Sequence, residues 1–346
     1  MIKKMAVVVA VVVAIVVLYF VYTEPPKLEW HDNSCWNNAT FQLLRNVRPL
    51  TEELLKARKT AKDMGKASPY EVNNDGTPNE FMQSYVDLLG IVDEQSKCTK
   101  LEKESCTELE KKRFDFHTKS CDMQGTKGSG DAQAFVKDFL SRNKKLNKPW
   151  LQLLRKIFGL RWDSEKVDIA FYISLINVMG FQTYEPNDRF YELSDYIIIV
   201  DGRATVENLG GDISAFDVKL KIQNIEEFRL PNELDVTPYV MDELKKDGSW
   251  KYELIGFVCG APGSGKIGHV WAYVKDQFED KPKWWYVNDL TQELIQRNPS
   301  MNIAELGKFG STPCRYVYTY LYKRIEPQTP VADLEKFAQA LASVIR

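Results

Sequence analysis

The chain has 346 residues, of which 44% are apolar and 27% charged, an ordinary globular composition that excludes a disordered or fibrous polymer and leaves room for a large core. Lys+Arg at 46 against Asp+Glu at 48 gives a formal charge of −2. That balance argues against nucleic acid as a partner, because such a protein needs surplus cations to displace phosphate counterions. The 6 cysteines are too few and too irregularly placed for a disulfide-built scaffold.

The first predicted element is a membrane anchor. Residues 6–22 carry no charge and no proline, and Lys3 and Lys4 precede them. As a helix they would span roughly 26 Å, close to the hydrocarbon thickness of a bilayer. Tyr19 and Tyr22 fall where aromatic belts lie, and Glu24-Pro25-Pro26-Lys27 ends the run. A cleaved signal peptide is the competing reading, but the exit Tyr-Phe-Val-Tyr-Thr-Glu has no small-x-small cleavage site. Lys3 and Lys4 favour a cytoplasmic N-terminus, and Lys27 on the other flank offsets that bias.

A helix is expected over residues 35–47, entered from the capping types Asp32-Asn33-Ser34. Residues 60–79 read as a surface connection. Residues 93–130 read as a solvated, charged helix followed by a Gly/Ser turn, and residues 132–140 resume an amphipathic helical pattern. Farther on the text turns β-branched and aromatic: Tyr196-Ile-Ile-Ile-Val200, Tyr252-Glu-Leu-Ile-Gly-Phe-Val258, Val270-Trp-Ala-Tyr-Val274, Trp284-Trp-Tyr-Val287 and Tyr316-Val-Tyr-Thr-Tyr-Leu-Tyr322. Residues 331–345 form a closing amphipathic helix. Helices first and antiparallel-looking strands later predict an α+β fold.

Cys35 stands at the first turn of its helix, where the positive end of the helix dipole favours the thiolate. Taken alone, a small buried apolar residue is the alternative reading. His269 opens a predicted strand, and the next strand ends at Asn288. A hairpin between the two would set the Asn288 carbonyl against one ring nitrogen and leave the other for sulfur. Taken alone, His269 is a strand histidine satisfied by backbone. A cysteine, then a distant histidine, then a polar orienter is nonetheless the order of a cysteine protease.

Asn33-Ser-Cys35-Trp-Asn-Asn38-Ala-Thr-Phe-Gln42-Leu-Leu44 resembles the cysteine box of the ubiquitin-specific proteases, papain-like deubiquitinating enzymes. The stretch from Tyr252 through Gly268-His269-Val-Trp-Ala-Tyr-Val274 resembles their histidine box, and Trp284-x-x-Val-Asn288-Asp289 the segment of the third catalytic residue. Leu230-Pro231-Asn-Glu-Leu234, the strand from Tyr316 to Arg324, and Asp131-Ala132-Gln133-Ala134-Phe135 continue the likeness in family order. The resemblance implies a papain-like cysteine protease with an N-terminal helical half and a C-terminal antiparallel β half, here placed after the one N-terminal transmembrane helix read from the apolar run. With the anchor and the closing helix read above, the chain divides into residues 1–27 as anchor and flank, 28–326 as the catalytic domain that the resemblance implies, and 327–346 as terminal helix. The resemblance further implies Cys35, His269, Asn288 and Asp289 as catalytic residues, and Asn33, Trp36, Asp131 and Trp285 at the oxyanion site or the groove for a diglycine tail. Ubiquitin or a relative is the implied partner, with no cofactor, no metal and no nucleic acid. A ubiquitin substrate implies that the domain faces the cytosol.

The chain departs from the pattern at Trp30, where the family carries an Asn that helps hold the oxyanion, and at Gly130 and Ala134 of the helix box. The family's paired Cys-x-x-Cys zinc knuckles are absent. A catalytically weak ubiquitin-binding relative is the alternative outcome. Two further signals compete. Gly260-Ala-Pro-Gly-Ser-Gly265-Lys266 fits most of a phosphate-binding loop but is followed by Ile267 and a strand pattern, so a hairpin turn is preferred. Cys98, Cys106, His117 and Cys121 lack the close pair that anchors a zinc site, and a solvated helix face is preferred. Asn38-Ala-Thr40 is a formal glycosylation sequon on the catalytic helix.

Overall fold

A computed structural model describes residues 34–95, 103–125, 132–137, 139–140, 148–161, 170–173, 190–201, 206–207, 219–220, 232–245, 250–261, 269–278, 283–288, 292–294, 314 and 316–325. Among the described residues six α-helices come first: α1 (Cys35–Arg45), α2 (Arg48–Asp63), α3 (Glu80–Gln95), α4 (Lys103–Gln124), α5 (Ala132–Lys137) and α6 (Lys148–Phe158). Strands follow as β1 (Leu160–Arg161), β2 (Ala170–Ile173), β3 (Glu192–Leu193), β4 (Tyr196–Asp201), β5 (Val206–Glu207), β6 (Lys219–Leu220) and β7 (Glu233–Asp235). After the short α7 (Asp242–Lys245) come β8 (Lys251–Ala261), β9 (His269–Lys275), β10 (Trp284–Val287), β11 (Gln292–Leu294) and β12 (Tyr316–Arg324).

The main sheet has the order β11-β10-β9-β8-β12-β4-β2, with β7 pairing the start of β8. Its ladders are antiparallel except β2 with β4, which is parallel, a pairing that the expected antiparallel half did not include. The Tyr-Ile-Ile-Ile-Val run of β4 shows why these strands read as unbroken apolar stretches. Ile198 and Val200 face the core under the helices, while Ile197 and Ile199 face a second core on the other side. A strand covered on both faces has no reason to alternate with polar residues.

α1 lies at the centre, with all its residues buried. A helix wrapped on every side has no solvent stripe, so its polar residues need protein partners. Thr40 bonds back to Trp36 O at 2.5 Å, and Asn37 reaches Ser120 Oγ of α4 at 2.8 Å. Pro49 lies in the first turn of α2, where its missing N–H costs nothing, so the chain turns sharply after Asn46. An edge-to-face aromatic cluster of Phe41, Tyr85, Phe116, Phe135, Phe139 and Trp150 joins α1 to α3, α4, α5 and α6.

Several expectations need correction. Residues 60–63 extend α2, and Ser68, Glu71 and Asn79 within the expected surface connection are buried. Arg58 holds that connection by pairing with Glu71 and with Asp87 of α3, which Lys112 of α4 also pairs. The charged helix α4 is solvated on one side only: Arg113, Phe116, His117, Ser120 and Cys121 are buried. Helix α1 ends at Arg45 with Asn46 as its cap, short of residue 47. The anchor at residues 6–22 and the closing helix at 331–345 lie outside the described residues, among which no helix is long and apolar enough to cross a membrane.

Candidate active site

The hairpin of β9 and β10 builds the first half of the site. Its register pairs Ala272 with Val287, so one step farther Asn288 stands across from Trp271. His269, two residues before Trp271, is then a diagonal neighbour of Asn288 on the same sheet face, within side-chain reach. The contact is made: His269 Nε2 lies 2.9 Å from Asn288 Oδ1. A carbonyl oxygen only accepts, so Nε2 carries the hydrogen and the lone pair of the neutral ring sits on Nδ1. The Asn288 amide donates in turn to the Tyr286 hydroxyl at 2.8 Å, which fixes which way it faces. Trp271 backs the imidazole with ring centroids 5.7 Å apart, and Asn288 itself is 3% exposed.

The second half is the start of α1. Cys35 is its first residue and 6% exposed, and α1 packs along β9. Ser34 holds the N-cap position but makes no capping bond with its side chain. Its hydroxyl instead accepts from Asn38 Nδ2 at 3.1 Å and from Arg113 Nη1 at 3.4 Å. Arg113 is 2% exposed and is neutralised by Glu110 through Nε at 2.9 Å and Nη2 at 2.5 Å. The side-chain cap expected of Ser34 is thus replaced by a buried network with Asn38 of α1 and Arg113 of α4, while Asp32 and Asn33 lie outside the described residues. The Asn38 side chain is committed to that network and buried, so the formal sequon has no room for a glycan.

Trp36 and Trp285, expected along the tail groove, are 2% and 4% exposed. Trp36 packs against His117 and Phe135, and both tryptophans belong to the core under the helices, so they support the site from behind. Asn33, Asp131 and Asp289 lie outside the described residues, as do residue 30 and residues 262–268 of the glycine-rich turn. β9 follows that turn as a strand, where a phosphate-binding loop would be followed by a helix. His117 Nε2 stands 3.7 Å from Cys121 Sγ on α4, and no group of three or more metal-ligating side chains occurs among the described residues. Cys259 of β8 and Cys314 form a disulfide, with Cα atoms 5.7 Å apart. Tyr286, Arg113 and Asn46 of the site's framework were not signalled by any motif.

Residues 27–322 match the family described as ubiquitin carboxyl-terminal hydrolase. The chain belongs to that family. It is a cysteine-type deubiquitinating hydrolase with the papain-like arrangement of helices against a largely antiparallel sheet. Among solved structures, this hydrolase is similar to the SAGA Ubp8/Sgf11/Sus1/Sgf73 DUB module bound to ubiquitin aldehyde, with 12% identity, a TM-score of 0.51, and coverage of 88% of this chain and 70% of that one. It is also similar to the Ubp8-Sgf11-Sgf73-Sus1 SAGA DUB module in a separate structure, at 14% identity and a TM-score of 0.51, covering 88% of this chain and 69% of that one. At such identities the likeness is one of fold. No curated protein matches the hydrolase in sequence.

Proposed function

We propose that the chain cleaves the bond following the C-terminal glycine of ubiquitin or a ubiquitin-like modifier, with Cys35 as nucleophile, His269 as proton carrier and Asn288 as its orienter. The observation that carries this reading is the 2.9 Å contact between His269 Nε2 and Asn288 Oδ1, at the start of the strand along which the Cys35 helix lies. With Nε2–H held by Asn288, Nδ1 takes the thiol proton as sulfur attacks the glycine carbonyl. The imidazolium then protonates the departing amine, leaving a thioester on Cys35. Water, deprotonated by the same nitrogen, cleaves the thioester and returns the thiol. The backbone N–H of Cys35 or the amide of Asn33 is the donor assigned to the oxyanion. Asp289 supports the loop or meets the polar tail, and Asp131 lines its path.

The test is covalent capture. The full chain incubated with ubiquitin bearing a C-terminal vinyl electrophile gives an adduct on Cys35, which Cys35→Ala does not. If wild-type protein gives no adduct, the hydrolase mechanism is wrong, and ubiquitin binding without an adduct marks a pseudoenzyme.

The proposal includes a single-pass anchor at residues 6–22 with the hydrolase facing the cytosol, supported by the uncharged run and by the cytosolic supply of ubiquitin conjugates. The Cys259–Cys314 disulfide favours the opposite, oxidising face. Protease digestion of sealed vesicles decides: a catalytic domain protected until detergent is added overturns the cytosolic placement.

A further inference from the structure

Asn46 caps the C-terminal end of α1, about 16 Å along the helix from Cys35, yet it is 2% exposed and tied by three bonds to β8 and to the end of β9 with its following turn. Its Nδ2 donates to Ile255 O of β8 at 3.1 Å and to Lys275 O of β9 at 2.9 Å. Its Oδ1 accepts the Gln277 N–H, in the turn after β9, at 3.0 Å. Both amide hydrogens and one carbonyl lone pair are therefore engaged, with the sheet that carries the histidine and the turn that leaves it.

The place where these bonds fall matters. Asn46 follows the last residue of α1, and Lys275 is the last residue of β9. From this shared point, helix and strand run back side by side, roughly 16 Å to Cys35 and roughly 20 Å to His269. The Cys35 end of the helix and the His269 end of the strand therefore lie at the same end of the packed pair, opposite the point where the two are fastened. A second contact lies at the same end. Gly256, which pairs with Val274, leaves the space that Leu43 of α1 fills: an added Cβ would meet Leu43 Cδ1 at 2.7 Å and Tyr273 O at 3.2 Å.

We infer that Asn46 is a positioning residue for the hydrolysis, setting the register of the Cys35 helix against the His269 strand from the far end of both. This rests on Cys35 and His269 being the reacting pair. A tilt of about 5° at Asn46 moves a point ~16 Å away by about 1.4 Å, and displacements of that order cost about a hundredfold in rate.

The experiment compares wild-type, Asn46→Ala and Leu54→Ala full chains. Leu54 is buried on α2, not on the helix or strands that carry Cys35, His269 and Asn288, and supplies a variant of lowered stability. The readouts are kcat and KM on a fluorogenic ubiquitin C-terminal amide, with ubiquitin affinity measured in a Cys35→Ala background. For Asn46→Ala, kcat falls by about tenfold or more while KM and affinity stay within about twofold of wild type. Leu54→Ala keeps its kcat at a temperature where it is folded. Equal kcat for the two variants overturns the inference. A wild-type protein that turns nothing over overturns the hydrolase reading instead. Should Asn46→Ala not fold, Asn46→Ser and Gly256→Ala carry the same expectation: loss of kcat supports the assignment, and wild-type kcat in a folded variant refutes it.

Discussion

Tyr286, in β10, and Asn288, just past its end, lie two residues apart and are joined through their side chains: the Asn288 amide donates to the Tyr286 hydroxyl at 2.8 Å while its carbonyl holds His269 at 2.9 Å. The orienting residue is itself oriented. Tyr286 is fully buried, so the hydroxyl has little freedom to leave that position.

Removing that hydroxyl should therefore show up in turnover. Tyr286→Phe forfeits one neutral hydrogen bond of about 1 kcal/mol, which predicts about a fivefold drop in kcat with KM nearly constant. Steady-state kinetics on a ubiquitin amide substrate measures both.

Replacing Asn288 separates acceptor from amide. Asn288→Ala removes the partner of an imidazole that becomes charged during the reaction, worth about 1.5–3 kcal/mol, so kcat should fall about 10- to 100-fold. Asn288→Asp keeps an acceptor and should retain more activity than the alanine variant. Equal activity of the two would show that the carbonyl does not act on the ring.

Asp276 gives a pH prediction. Burial raises its carboxyl above the ordinary 3.8, against weaker opposition from Arg45 and from the Phe278 N–H. A raised folded-state pKa means that the native form keeps its proton to higher pH than the unfolded chain. Its favourable contribution is full below 3.8 and is lost as pH rises through the folded value. At neutral pH the buried charge burdens the fold. Asp276→Asn, whose carbonyl can still accept from Phe278, should raise Tm by about 2 °C at pH 7 and by much less in acid. Melting curves at several pH values test the sign.

The cluster of Arg58 with Glu71 and Asp87, shared with Lys112, ties α2, the connection to α3, α3 itself and α4. Arg58→Met leaves the Glu71 carboxylate, whose side chain is 9% exposed, without its cation. A destabilisation of about 2 kcal/mol is expected, measured by urea unfolding, with little change in kcat.

The disulfide between Cys259 and Cys314 closes a loop spanning 55 positions. Loop-closure entropy sets its contribution at up to about 4 kcal/mol, so dithiothreitol should lower Tm by several degrees in wild type and not in Cys259→Ser/Cys314→Ser.

The β half was legible because the strands of its main sheet are covered on both faces: the reading of residues 284–287 coincides with β10, and residues 252–258 and 270–274 lie inside β8 and β9. The helices α2, α3 and α6 escaped notice. In α3 the apolar stripe is broken by Ser84, which is buried because its hydroxyl bonds to Phe81 O at 2.8 Å, a local solution with no signature in a hydropathy pattern. Cys35, His269 and Asn288 stood out because their types and order are rare. Asn46 and Arg113 did not, since an asparagine after a helix or an arginine in a charged run is commonplace until tertiary structure buries it. The burial of Trp36 was not legible for a related reason: adjacency to the nucleophile in sequence says nothing about which side of a fully enclosed helix a ring occupies.

Gly256 and Leu43 occupy one shared volume, although they are far apart in sequence. Any methyl added at position 256 has to be matched by carbon lost at position 43, so the two sites should drift together in homologous chains, a bulkier residue at one accompanying a slighter one at the other. A lineage that broke this matching would still fold its sheet. Its catalytic helix would sit proud of the strands beneath.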